Sequence, residues 1–189
     1  MLYEDATKRL REVRGRIAEL RDELREVQAK IEPAEVQDYK LTTAEGKPIL
    51  LSELFGDRDH LFVVHNMGRS CPYCTMWADG FNGVIDHLEN RAAFVVSTPD
   101  SPETQRKFAD SRGWRFRMVS HEGTSFASDM GYRHDDGWRP GVSVFQRDGD
   151  QIVRVSDTEF GPRDDFCSVW HLLELLPEGT EGWQPKFKY

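Results

Sequence analysis

The chain has 189 residues, a net charge of −8, 38% hydrophobic and 31% charged side chains, a balance that gives no general electrostatic pull toward nucleic acid or an anionic membrane. No stretch approaches the roughly 18 apolar residues of a membrane span, and three cysteines are too few for a disulfide-rich secreted scaffold. The length fits one domain of about 150 residues with an appendage. The opening Met1-Leu2-Tyr3-Glu4-Asp5 has neither the basic start nor the apolar run of a secretory signal, so a cytoplasmic protein is expected. In that reducing compartment a cysteine pair is catalytic or metal-binding rather than structural.

Over residues 4–32, Ala6, Leu10, Val13, Ile17, Leu20, Leu24, Val27 and Ile31 recur at alternating spacings of four and three. This heptad stripe predicts one helix, about 42 Å long at 1.5 Å per residue, that either packs on its own domain or meets a second chain. With Leu10, Ile17, Leu24 and Ile31 at the a positions, Arg9 would face Arg14, and Arg16 would face Arg21, across a parallel dimer. Antiparallel or domain-exchanged pairing in a homo-oligomer is therefore favoured. Pro33 is expected to end the helix, and residues 33–40 to be a linker. The expected organisation is an arm over 1–33, a domain over 34–177 and a tail over 178–189.

Residues 39–56 then read as a strand, a Glu45-Gly46 turn and a brief helix at Leu51–Leu54 stopped by Gly56. The apolar runs Leu61–His65 and Ala92–Ser97 suit buried central strands. Between them, Trp77, Phe81, Val84, Ile85 and Leu88 share one helical face, so residues 72–89 complete a strand–helix–strand unit and imply a parallel sheet. Ser101-Pro102-Glu103 starts a helix that Gly113 stops. Strands are expected at Phe116–Ser120, Val142–Gln146 and Gln151–Val155, the last two joined by an Asp148-Gly149-Asp150 turn. A short helix is expected near Ser125–Met130, and a final one over Arg163–Leu176.

The chemistry concentrates in "LFVVHNMGRSCPYCTMWADGF". Cys71 and Cys74 lie just after a buried strand, at the first turn of a helix, with Pro72 where a missing N–H costs nothing. Free N–H groups and the helix dipole there stabilise a thiolate at Cys71, and Cys74, one turn deeper on the same face, is placed to attack a mixed disulfide. Arg69 adds positive charge nearby. A closed zinc site needs four ligands; His65, His87 and His171 lack paired ligand spacing, and Cys167 fits an apolar helix face. No metal or other cofactor is implied. His134, Asp135 and Asp136 read as a polar loop, and Trp114, Trp138 and Trp183 are candidates for an apolar rim.

The order strand, CxxC at a helix start, strand, helix, strand, then "RPGVSVFQRDGD" and a closing helix, resembles a thioredoxin-like α/β fold, a central mixed sheet flanked by helices. "LTTAEGKPILLSELFGDRDHLFVVHNMG", "SCPYCTMWADGF", "RGWRFRMVS" and "PGVSVFQRDGD" are similar to a bacterial domain-of-unknown-function family labelled predicted dithiol-disulfide oxidoreductase, over about residues 38–177. The resemblance implies that Cys71 is the nucleophile and Cys74 the resolving cysteine. It also implies that Pro140 is the proline that packs on the active-site disulfide through a cis peptide, and that His65 stands where thioredoxins keep a buried acid serving the resolving cysteine. A neutral imidazole, with a pKa of about 6.5, suits that task.

Ser70 replaces the tryptophan that thioredoxins carry before the first cysteine. Val64 and Gly68 occupy the places where peroxiredoxins need Pro and Thr. Arg139 before Pro140 leaves a glutathione site unsupported. The reading is a thiol–disulfide oxidoreductase acting on a protein or small thiol or disulfide. Its rivals are a catalytically silent binding or assembly protein working through the N-terminal helix, and a thiol peroxidase using Cys71.

Overall fold

The computed structural model describes residues 2–189, which fall into two compact units, one ending at Pro33 and one running from Ala34 to Tyr189. The first is the helix α1 (Tyr3–Gln28). None of its residues is buried, and Leu10, Ile17, Leu20, Leu24 and Val27 are all exposed. Ion pairs one turn apart, Arg9 with Glu12 at 2.8 Å and Arg25 with Asp22, line its polar side. The helix is shorter than expected because its last turn tightens: Lys30 N–H bonds Val27 O and Ile31 N–H bonds Gln28 O, while Pro33 holds the residue before it extended.

In the second unit the expected linker is instead a strand, β1 (Ala34–Val36). There follow β2 (Lys40–Thr43) and β3 (Pro48–Leu50), a 3-10 turn at Leu51–Phe55, β4 (His60–His65), α2 (Pro72–Arg91), β5 (Ala93–Thr98), α3 (Pro102–Arg112) and β6 (Arg117–Ser120). A short α4 (Phe126–Asp129) and a small hairpin of β7 (Arg133–His134) and β8 (Gly137–Trp138) lead to β9 (Gly141–Asp148), β10 (Gln151–Glu159) and α5 (Ser168–Leu173). The sheet has eight strands in the order β1-β10-β9-β4-β5-β6-β2-β3. β4, β5 and β6 are parallel, and β9 joins β4 antiparallel with Val64 opposite Val142. This is the mixed α/β sheet of a thioredoxin-like fold.

Both faces of the sheet are covered, which is why the middle residues of β4 and β5, Leu61–Val64 and Phe94–Val96, are apolar. Strand alternation sends Leu61 and Val63 to one face, with Leu41, Phe55, Phe126, Tyr132 and Phe145. Val64 goes to the other, with Cys71, Cys74, Trp77, Ile85 and Phe94. Gly141 permits a crossing that no side chain could: a Cβ there would lie 2.3 Å from the Tyr132 ring and 2.5 Å from Thr158 O. Tyr132 Oη, reaching past it, donates near Val142 O at 3.1 Å and Thr158 O at 3.2 Å.

Helix ends follow local chemistry. Ser101 caps α3 and Gly113 closes it in the left-handed region. The closing helix, expected over Arg163–Leu176, is cut to Ser168–Leu173. Asp164 takes its first turn apart by accepting Gly161 N–H and Phe166 N–H, each at 3.0 Å, and Arg163 stands at φ 71. Such Asx bonds compete with helix. Residues of the expected tail pack onto the domain: Phe187 O accepts from Arg112, and Trp183 meets Trp170 edge-on at 5.6 Å. Among the described residues no helix is long and apolar enough to cross a membrane.

Candidate active site

Cys71 is the N-cap of α2 and Pro72 its first residue. The Cys71 sulfur accepts the Cys74 N–H at 3.0 Å, and Thr75 Oγ1 donates to Cys71 O at 3.0 Å. All three cysteines are free and buried. The Cys74 thiol donates to Cys71, and the Cys74 and Tyr73 N–H groups point at it; against burial, these contacts hold the Cys71 thiol below its ordinary pKa. Cys74 is driven strongly upward, first by that same hydrogen bond, then by burial and the adjoining Cys71, with the Met67 N–H opposing. The two thiols are thus pushed in opposite directions, Cys71 down and Cys74 up. Cys167 lies in the same apolar cluster, and burial raises its pKa.

Pro140 shares a groove with Tyr73, the residue between Pro72 and Cys74. It leads into β9, and with Met67, Tyr73, Trp77, Trp138 and Phe160 it lines a groove of about 300 Å³ beside the dithiol loop. The cis peptide implied by the resemblance is absent: among the described residues every peptide bond is trans. Arg139 N–H donates to Tyr132 O at 2.9 Å and Phe160 N–H to Pro140 O at 2.8 Å. Of the candidate rim tryptophans only Trp138 reaches the groove. Trp114 donates to Asp79 at 2.9 Å, and Trp183 sits against Trp170.

His65 is not brought to the cysteine pair. As the last residue of β4 it follows Leu61 and Val63 to the other face, stacking on Tyr132 at 3.8 Å with Nε2 3.0 Å from Ser143 Oγ. Burial, then His121 and Arg154, hold it well below the ordinary histidine pKa. The period-two alternation of a strand decides this, since Val64 takes the side facing the thiols. Asp136 pairs with Arg139 at 2.6 Å, and among the described residues no three His, Cys, Asp or Glu side chains gather as a metal site.

Asn66, Asp100 and His121 carry no motif in the sequence, and the fold gives each a place. Asn66 Oδ1 accepts Gly68 N–H at 2.8 Å, and Asp100 Oδ2 accepts Arg69 N–H at 2.7 Å. Both shape the loop before Cys71. His121 sits with Nδ1 2.7 Å from Ser97 Oγ and its ring 5.2 Å from Trp138.

A match to the family described as bacterial protein of unknown function (DUF899) spans residues 2–188. The chain belongs to this family. The match takes in α1 and the C-terminal residues as well as the sheet domain, so the family extends beyond the segment on which the resemblance was read. No curated protein matches the chain. Among solved structures, peroxiredoxin Q of Xanthomonas campestris is similar at a TM-score of 0.54 and 17% identity, over 64% of this chain and 80% of that one. Peroxidoxin BcpB of Mycobacterium tuberculosis is similar at 0.52 and 26% identity, over 64% and 80%. BsSco, a Sco-family cytochrome c oxidase assembly protein with a disulfide switch, is similar at 0.50 and 14% identity, over 69% and 86%. These likenesses place the family's sheet domain in the thioredoxin-like fold.

Proposed function

We propose that this member of the family is a dithiol–disulfide oxidoreductase. The observation that carries the reading is the asymmetry of the pair: Cys71 at the cap of α2 accepts the Cys74 N–H, and Cys74 lies buried one turn behind it. The Cys71 thiolate attacks a substrate disulfide, forming a mixed disulfide and releasing one thiolate. Cys74 gives up its proton, attacks the Cys71 sulfur and releases the second. The protein ends as the internal disulfide, the substrate as two thiols, and an external dithiol restores the starting state. Pro140 and the aromatic groove shape the approach to Cys71.

The test is a redox titration joined to disulfide-reduction assays. A reversible two-electron couple with turnover that Cys71→Ser abolishes supports the reading; two thiols inert to oxidation and alkylation in the folded protein would sink it. A thiol peroxidase is the second reading, favoured by the similarity to peroxidoxin BcpB at 26% identity. There Cys71 would attack a peroxide, releasing an alcohol or water and leaving a sulfenic acid, which Cys74 condenses to the disulfide with loss of water. Peroxide consumption that survives Cys74→Ser but not Cys71→Ser selects it. The exposed apolar stripe of α1 further supports association with a second copy in an antiparallel or exchanged arrangement.

A further inference from the structure

The dithiol loop is anchored by Asn66 as well as by Asp100. Asn66 is the first residue beyond β4, is 7% exposed, and continues the ladder by donating its backbone N–H to Ser97 O at 2.9 Å. Its side chain then does two things. Oδ1 accepts the Gly68 N–H at 2.8 Å, closing an Asx turn, and Nδ2 donates to Cys74 O at 3.4 Å, in the first turn of α2. Gly68 in turn accepts the Cys71 N–H on its carbonyl at 3.1 Å. A connected path of hydrogen bonds therefore runs from β5 through Asn66 to both cysteines.

The turn it closes admits only glycine. Gly68 stands at φ +94, and a Cβ there would meet the Asp100 carboxylate at 2.9 Å. Asp100 is itself fixed, its carbonyl accepting the Ser120 hydroxyl at 2.7 Å and its N–H bonding Thr98 Oγ1 at 3.2 Å. Asp100 and the Asx turn thus hold the residues before Cys71. The amide arm of Asn66 reaches past them to the carbonyl of Cys74.

We infer that Asn66 is a positioning residue for the resolving cysteine, its amide holding Cys74 within reach of a mixed disulfide on Cys71. The inference rests on the dithiol reading and assigns to Asn66 the second chemical step rather than the first. With the amide arm removed, Cys71 keeps its cap position and its N–H contacts, while the Cys74 turn gains freedom and attacks less often.

Stopped-flow reaction of the full-length reduced protein with 5,5′-dithiobis(2-nitrobenzoate) separates the steps. In the first, Cys71 thiolate breaks the probe's S–S bond, forms a mixed disulfide and releases one aryl thiolate. In the second, Cys74 loses its proton to solvent, forms the Cys71–Cys74 bond and releases the other. The double variant Cys71→Ser/Cys74→Ser reports whatever Cys167 contributes. Asn66→Ser keeps an acceptor for Gly68 but cannot reach Cys74; its first phase should stay within about threefold of wild type and its second slow by about tenfold or more, the scale of one lost buried hydrogen bond. Asn66→Asp, which retains the Gly68 acceptor and lacks the amide donor, should show the same split.

A second phase as fast as wild type in either variant overturns the inference, as does equal slowing of both phases with a lowered melting temperature, which marks general loosening. A wild-type protein that never releases the second thiolate removes the dithiol reading itself, and this inference with it.

Discussion

Lowering the pH from 7.5 to 5 should destabilise the folded protein through its two buried imidazoles. His121 is 3% exposed and, among the described residues, its Nε2 finds no hydrogen-bond partner; His65 is 2% exposed and its Nδ1 likewise. Among the described residues, no carboxylate is hydrogen-bonded or ion-paired to either ring. His65 faces Ser143, Tyr132, Phe126 and the charge of Arg154, and His121 faces Ser97, Phe126 and Trp138. Burial pulls His121 down to about 4, against about 6.5 in the unfolded chain. Because the folded pKa is the lower one, the unfolded chain binds the proton first, and stability is full above 6.5 and falls until the pH reaches about 4.

The full loss from His121 is about 3 kcal/mol, of which about 2 kcal/mol has gone by pH 5. His65 adds in the same direction. Carboxylates held low by hydrogen bonds and ion pairs, such as Asp129 and Asp136, give up their contribution only below about pH 4, outside this window. Urea unfolding at pH 7.5 and 5, followed by far-UV circular dichroism, measures the difference, and His121→Asn should recover about 2 kcal/mol of it. A wild type that loses less than about 0.5 kcal/mol over this range, or a His121→Asn variant with the wild-type pH dependence, refutes the reasoning.

The other expectations are more local. Iodoacetamide should label Cys71 well before Cys74 or Cys167, at a rate that follows a thiol pKa below the usual value of about 8.5; peptide mapping by mass spectrometry reads the order. Gly141→Ala drives a methyl into the Tyr132 ring and Thr158 O, and should cost on the order of 3 kcal/mol in unfolding free energy. Leu20→Glu on the exposed face of α1 should shift the solution mass of the full chain to that of a monomer without changing the thiol reactivity of Cys71; an unchanged mass would rule out α1 as the contact between copies.

Much of the fold was readable because its signals are local. The cap and glycine stop around α3, the apolar runs of β4 and β5, the turn between β9 and β10, and the placing of Cys71 and Cys74 at the start of α2 each rest on a few adjacent residues. Where the reading missed, a non-local bond or a second local one competed. Residues 34–36 look like a linker until β10 supplies their partner strand, with Glu35 opposite Val153. The start of the expected last helix was unmade by the Asp164 side chain.

At the site the division is sharper. Sequence alone determined that a cysteine pair sits at a helix N-terminus after a buried strand, because spacing along one helix and its start fix that geometry. Only the tertiary structure decided that His65 serves the opposite face, that the bond before Pro140 is trans, and that Asn66 links β5 to both cysteines. Those outcomes depend on which side of the sheet a residue faces and which distant backbone atoms come within hydrogen-bond range, and strand pairing across the whole chain sets both.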